Sequence, residues 1–315
     1  MSGNKMYRPE TAGALYRFTH TYLAFIIVAI GMMAGWLYLG LMVADMVQRM
    51  DMGQMGPGMA LFNEMNMFAG LAPEVRAQLA ALCLPLAGES FGMPDLISFS
   101  FYDFTMVFIM WLMMVLAMML PTAYPMLYSY HSRRSDWAVI WVVLGYICVW
   151  GVFSFIASAL QLALHALGGL NPMMAPALSF FAASVIIVAG FYQFTSFKQA
   201  CLYRCRVPVI AKAVDASCKS MKSPGKASFE FGLEQGVYCL GCCWVLMCLM
   251  FAVGVMNIFW IAILGLVMAL EKSYGTRQLS YAIGVLLLIW GGGYLYFATD
   301  ELPVLQHFID RLMGT

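Results

Sequence analysis

The chain has 315 residues, 63% of them hydrophobic and 10% charged, with 17 Lys and Arg against 16 Asp and Glu for a net charge of +1. A soluble protein keeps about a quarter of its residues charged to cover its surface, so a soluble enzyme, a secreted disulfide module and a disordered scaffold are all excluded and a membrane protein is predicted. Its 28 methionines exceed what lipid contact requires, since leucine or isoleucine would satisfy lipid equally well.

Residues 1–17 form a polar N-terminus, and the apolar run at 18–43 is too long for a signal-peptide core, so it reads as a retained first span. Residues 44–100 follow as an outer, methionine-rich loop, in which Val75, Leu79 and Leu82 predict a short amphipathic helix over 73–84 at the membrane surface. The membrane core extends over 101–272, with apolar runs at 101–120, 137–164, 177–195, 236–253 and 258–270 as spans two to six. Gly254 and Asn257 mark a reversal between the last two, because one straight helix over both would be about 50 Å long against a hydrocarbon core of about 30 Å. A last span at 279–298, within 273–298, precedes an outer tail at 299–315. The expected fold is therefore an all-α polytopic transmembrane helical bundle of about seven spans.

Basic residues orient it. With the N-terminus inside, fourteen Lys and Arg fall on the inner side and three, Arg49, Arg76 and Arg311, outside, which predicts N-in and C-out. The basic connection Arg206–Ser228, punctuated by Pro208, Pro224 and Gly225, reads as resting on anionic lipid. Gly291-Gly292-Gly293 lies inside the last span and reads as a helix-packing notch, not a nucleotide loop. No nucleic-acid signature is present. The expected partners are the lipid bilayer and, through the long outer loop, a membrane protein complex.

The chemistry lies in sulfur. Cys239, Cys242 and Cys243 share one face of the fifth span, Met247 and Met250 extend that stripe, and Cys201 and Cys205 repeat the four-residue spacing at the end of the fourth. Two neighbouring helices that each offer such a thiol pair can enclose a soft metal ion, copper(I) first and zinc(II) as the alternative. Counting the rise per residue puts Cys201 about one turn outside the hydrocarbon and Cys239 about one turn inside. One common site then requires a tilted or bent helix, and two sites along a path are the equal alternative. Cysteine is also an ordinary buried residue, and Cys148 and Cys248 are read that way.

Methionines form two groups. Met46, Met50, Met52, Met55, Met59, Met65 and Met67 crowd the outer loop, and Met106, Met110, Met113, Met114, Met118 and Met119 run along the second span. Thioethers bind copper(I) without losing a proton and survive where thiols would be oxidised. Met110, Met114 and Met118 stand about one turn apart, so they form a candidate ladder from the outer cluster towards the thiols; gap filling between helices is the competing explanation. His20, His131, His165 and His307 are dispersed, and no Ser-His-Asp set or paired carboxylates assign a catalytic residue. Asp103, Glu230, Glu234 and Glu271 stand near span ends, where solvated or snorkelling roles are expected. Gln161, Gln193 and Asn257 are expected to make interhelical hydrogen bonds.

The segments Trp111-Leu-Met-Met-Val-Leu-Ala-Met-Met-Leu-Pro121, Gly190-Phe-Tyr-Gln-Phe-Thr195, Cys201-Leu-Tyr-Arg-Cys-Arg206, Gly236-Val-Tyr-Cys-Leu-Gly-Cys-Cys-Trp244, Gly254-Val-Met-Asn257 and Glu271-Lys272 resemble a bacterial family described as predicted metal-binding integral membrane proteins. The resemblance covers about 101–272 in the family's order and implies metal binding in a helical membrane domain. Two positions depart from the family's pattern: Gln235 stands in place of a histidine and Ser196 in place of a proline. The function expected is a soft-metal, copper(I) binding protein of the bacterial inner membrane, in metal handling or transfer across it. A subunit of a membrane-bound metal-dependent oxidoreductase complex is the alternative, and thiol–disulfide exchange through Cys239 and Cys242 a minor one.

Overall fold

The computed structural model describes residues 10–49, 51–65, 71, 75, 101–131, 136–171, 174–206, 224–274 and 276–298. Among the described residues the regular structure is helical, apart from an isolated bridge between Leu170 and Pro176. The helices are α1 (Glu10–Arg49), α2 (Phe101–Met118), α3 (Leu120–His131), α4 (Asp136–Ala166), α5 (Ser179–Tyr192), α6 (Ser196–Arg206), α7 (Pro224–Cys248), α8 (Met250–Val253), α9 (Ile258–Ser273) and α10 (Arg277–Phe297), with two 3-10 helices at Met52–Met55 and Met59–Met65. The amphipathic helix expected over 73–84 lies, apart from Val75, outside the described residues, as do 207–223 of the basic connection and the tail at 299–315.

Each apolar run of the sequence lies on a helix, but the runs differ in reach. Five stretches, Phe25–Gln48, Phe101–Met118, Trp137–Ala166, Gly225–Val253 and Arg277–Tyr296, are long and apolar enough to cross a membrane. The run expected as the fourth span is α5, which turns by 66° into α6 and makes a sixth span if the bent pair is taken together. The run at 258–270 becomes the 16-residue α9. At 1.5 Å per residue α9 is about 24 Å long, short of a hydrocarbon core of about 30 Å. Among the described residues, by length and composition alone, five helices, or six with the bent pair taken together, are able to cross a membrane.

Interruptions in the helices set the architecture. Pro121 has no N–H to return to Ala117, so the α2 ladder ends at Met119, whose N–H still reaches the Val115 carbonyl at 2.8 Å. At the opposite break Gly254 adopts φ +102, and a Cβ there would stand 2.2 Å from the Met55 carbonyl oxygen. Asn257 then starts α9: its Oδ1 accepts from the Trp260 N–H at 3.2 Å, and its Nδ2 donates to the Val253 carbonyl at 3.1 Å and the Pro57 carbonyl at 3.0 Å. The sequence places a reversal at these residues, and the structure adds that the methionine-rich segment around Met55 and Pro57 is seated on it.

α4 packs along α7 and α5 along α10. The first pair approaches backbone to backbone: a Cβ on Gly232 would lie 2.2 Å from the Val142 carbonyl oxygen. In the second pair the expected notch reduces to Gly291, which lies against Ile187, whereas Gly292 and Gly293 face open space.

Candidate metal centre

The α4–α7 contact brings the thiol-bearing face of α7 against a tyrosine. Cys239, Cys242 and Cys243 are 1%, 1% and 2% exposed. The Cys242 and Cys243 sulfurs are 3.3 Å apart, and Cys242 Sγ donates to the Cys239 carbonyl at 3.1 Å. From α4 the Tyr146 hydroxyl stands 2.9 Å from Cys239 Sγ and 3.2 Å from the Met119 carbonyl at the break after α2.

A cation completes this corner. Lys272, in the last turn of α9, donates to Cys239 Sγ at 2.9 Å and to Thr122 Oγ1 at 2.7 Å. Thr122 spends its own proton on the Met119 carbonyl at 2.7 Å, so towards Lys272 it is an acceptor. An ammonium only donates, which makes Cys239 Sγ an acceptor as well. The arrangement is suited to holding a sulfur that carries negative charge, as a metal-bound thiolate does.

The 66° bend between α5 and α6 answers the depth mismatch expected from the sequence. α6 turns onto α7, and Cys205 comes beside Lys272, which holds Cys239, near enough to interact with Cys239 and Cys242. Cys201 does not join them; it is buried over Gly241, where a Cβ would stand 2.7 Å from its sulfur. Four of the five expected thiols are thus brought together. Among the described residues no three His, Cys, Asp or Glu side chains stand ready-made around a metal position. The thiols are instead engaged with one another and with a carbonyl, so capture of an ion requires them to turn. Copper(I) asks least of such a group, because two thiolates in line suffice for it, whereas zinc(II) takes four ligands.

The methionines are inside the bundle. Met110, Met114 and Met118 of α2 and Met247 of α7 are buried, and Met118 packs against Gly265 of α9. Met46, Met52, Met55 and Met59 are buried beneath or within the outer segment, whereas Met65 is exposed. Met50 and Met67 lie outside the residues whose side chains are described.

Two span-end acids depart from expectation, Glu271 and Asp103. Glu271 is neither solvated nor snorkelling: it is buried, with Lys198 Nζ 2.8 Å from its carboxylate. The Gln193 amide oxygen also accepts from Lys198, and Arg206 donates to the Glu271 carbonyl through Nε at 3.0 Å and again through Nη2. A buried charge persists only when paired and hydrogen-bonded, and this pair is both. The network ties α6 to α9, which fixes Cys205 relative to Lys272. Asp103 is likewise buried. Gln161 does bridge helices as expected, accepting from the buried Trp111 indole at 2.7 Å. Sequence reasoning missed Tyr146, Thr122 and the role of Lys272. A tyrosine within an apolar span carries no distinguishing signal, and Lys272 registered as a basic residue on the inner side and as part of the family resemblance, with no role attached to it.

A family model named PpoB2 and described as a copper chaperone matches residues 108–294, more than half of the chain, and the match includes the grouped thiols, Tyr146 and Lys272. No curated protein and no solved structure matches the chain.

Proposed function

The chain belongs to the PpoB2 copper chaperone family, and from that premise we propose that it is an integral membrane protein of the bacterial inner membrane. It binds copper as copper(I) on Cys239, Cys242, Cys243 and Cys205 and hands it on. One observation carries this reading: thiols from two helices meet in a single buried group with a lysine donating to one of them, inside the stretch that matches the family. Thiolates favour a soft ion, and Lys272 offsets the negative charge that they acquire on binding it. The neutral thioethers of Met110, Met114, Met118 and Met247 serve as weaker stations on the way, able to pass a monovalent ion without trapping it. The supporting observation for that second part is their burial within the bundle between the outer methionine segment and the thiols.

Metal analysis of the protein purified anaerobically tests the thiol assignment. Copper should be bound by the parent and by Cys148→Ser, whose thiol is exposed and apart from the group, and lost from the double variant Cys239→Ser, Cys243→Ser. Equal copper in that double variant and the parent would reduce these thiols to packing residues.

A further inference from the structure

The thiol group has one described opening. A cavity of about 220 Å³ lies between α3 and the ends of α6 and α9, and its lining includes Thr122, Ser129, Cys205, Arg206 and Lys272. Of the four grouped thiols Cys205 alone lines it; the other three are sealed within the protein. An ion that reaches the group through this cavity therefore meets Cys205 first.

The wall beside that thiol is cationic and rich in donors. Lys272 spends two protons on Thr122 and Cys239 and keeps a third. Arg206 points Nε and one Nη2 proton at the Glu271 carbonyl, which leaves three N–H groups of its guanidinium. Three hydroxyls, on Thr122, Ser129 and Ser273, share the lining, and Pro121, Pro125 and Met126 supply an apolar side. The free space corresponds to roughly seven waters at about 30 Å³ each. That is the scale of a small organic molecule and not of a protein loop.

We propose that this cavity is an exchange port, at which a small thiol bearing carboxylate groups gives copper(I) to Cys205 or takes it back; the inference rests on the thiol group being the copper site. Arg206 and Lys272 hold the carboxylates, with Arg206 presenting the planar fork that suits them, and this places the carrier's sulfur beside Cys205. The step is ligand exchange. The bond from copper to the carrier's sulfur breaks as the bond from copper to Cys205 Sγ forms, and the Cys205 thiol proton passes to the departing carrier thiolate. Copper stays copper(I) throughout and no electron moves. Cys205 shares the cavity wall with Lys272, which donates to Cys239 Sγ, so a second exchange of the same kind carries the ion inward.

The test uses the full chain in detergent under anaerobic conditions, with copper(I) supplied as its complex with mercaptosuccinate or, at matched free copper(I), with 2-mercaptoethanol. The parent should load from the carboxylated complex with saturation and about tenfold faster than from the neutral one. Arg206→Gln should bring the ratio of the two rates close to one, and Arg206→Lys, which keeps the charge, should recover most of it. Cys205→Ser should slow loading from both complexes at least tenfold. Equal rates from the two complexes in the parent, a preference that survives Arg206→Gln, or parental rates in Cys205→Ser would each overturn the port. A parent that loads copper no better than the Cys239→Ser, Cys243→Ser double variant would instead overturn the thiol assignment, and the port with it.

Discussion

Replacing Lys272 by Met should weaken copper(I) binding about 100-fold and turn the site's preference towards zinc(II). The magnitude follows from one distance. Lys272 Nζ is 2.9 Å from Cys239 Sγ, where opposite unit charges attract by about 6 kcal/mol at an effective dielectric of about 20 and by about 1.4 kcal/mol with the full screening of water. Lys272 is half-buried and borders the cavity, so an intermediate value of about 3 kcal/mol applies, and about 1.4 kcal/mol corresponds to each tenfold in affinity. Charge counting gives the direction of the selectivity change. Copper(I) on two of the thiolates carries one negative charge, which Lys272 cancels; zinc(II) on two thiolates and two neutral ligands is already neutral and leaves the lysine in excess. Without the lysine the zinc complex is the neutral one, and a site shielded from water favours neutrality. Arg206, the other cation at the cavity, is also half-buried, but two of its N–H groups are spent on the Glu271 carbonyl, so it does not replace Lys272 beside Cys239. Competition against a coloured copper(I) chelator, followed by zinc(II) titration, measures both quantities, with Lys272→Arg as the charge-retaining control, expected within about tenfold of the parent. Parental copper affinity and an unchanged copper-to-zinc ratio in Lys272→Met would refute the charge argument.

Gly254→Ala should destabilise the protein by about 3 kcal/mol, seen as a lowered midpoint of thermal unfolding in detergent. The new methyl group meets the Met55 carbonyl at 2.2 Å on a residue at φ +102, whereas Gly292→Ala, with nothing within 4 Å, should stay within about 1 kcal/mol of the parent. A reporter fused after Thr315 should be active only on the outer side of the membrane, and activity in the cytoplasm would remove the seven-span, N-in orientation that the basic residues predict. Replacing Met110, Met114 and Met118 together by Leu should leave abundance and folding intact and slow copper loading severalfold; loading at the parental rate would make these residues packing alone.

What could be read in the sequence, and what could not, divides along a physical line. Hydrophobic length is a local property, so each apolar run could be placed on a helix, and helical spacing put Cys239, Cys242 and Cys243 on one face. Depth and bending are not local. Nothing in Gly190–Ser196 states that the chain will turn by 66°, yet this bend decides that Cys205, and not Cys201, faces the α7 thiols. The partners of Cys239 were equally hidden, because Tyr146 lies 93 residues and Lys272 33 residues away and both depend on helix packing. Glu271 was misplaced for a related reason. Proximity to a span end predicts solvation, and only the fold reveals Lys198 waiting at the same level.

The groups around Cys239 lie beside interruptions in the helical ladders, and the physics of the interior explains why. A continuous helix consumes its own carbonyls and sends its charged termini towards water, so it can offer a buried thiol neither an acceptor network nor a cation. At the break before Pro121 the Met119 carbonyl accepts from both Thr122 and Tyr146 and so orients them. The shortness of α9 lets Lys272 close its last turn beside sulfur. The bend at α6 turns a helix end, with Cys205 and Arg206 on it, towards the same point. A site assembled from three helix ends and two helix middles also explains the division of labour inferred for it. Cys239, Cys242 and Cys243 sit on the unbroken helix, where packing holds them as a binding station, whereas Cys205 belongs to the penultimate residue of a short helix that borders a cavity, the position from which a ligand can be exchanged.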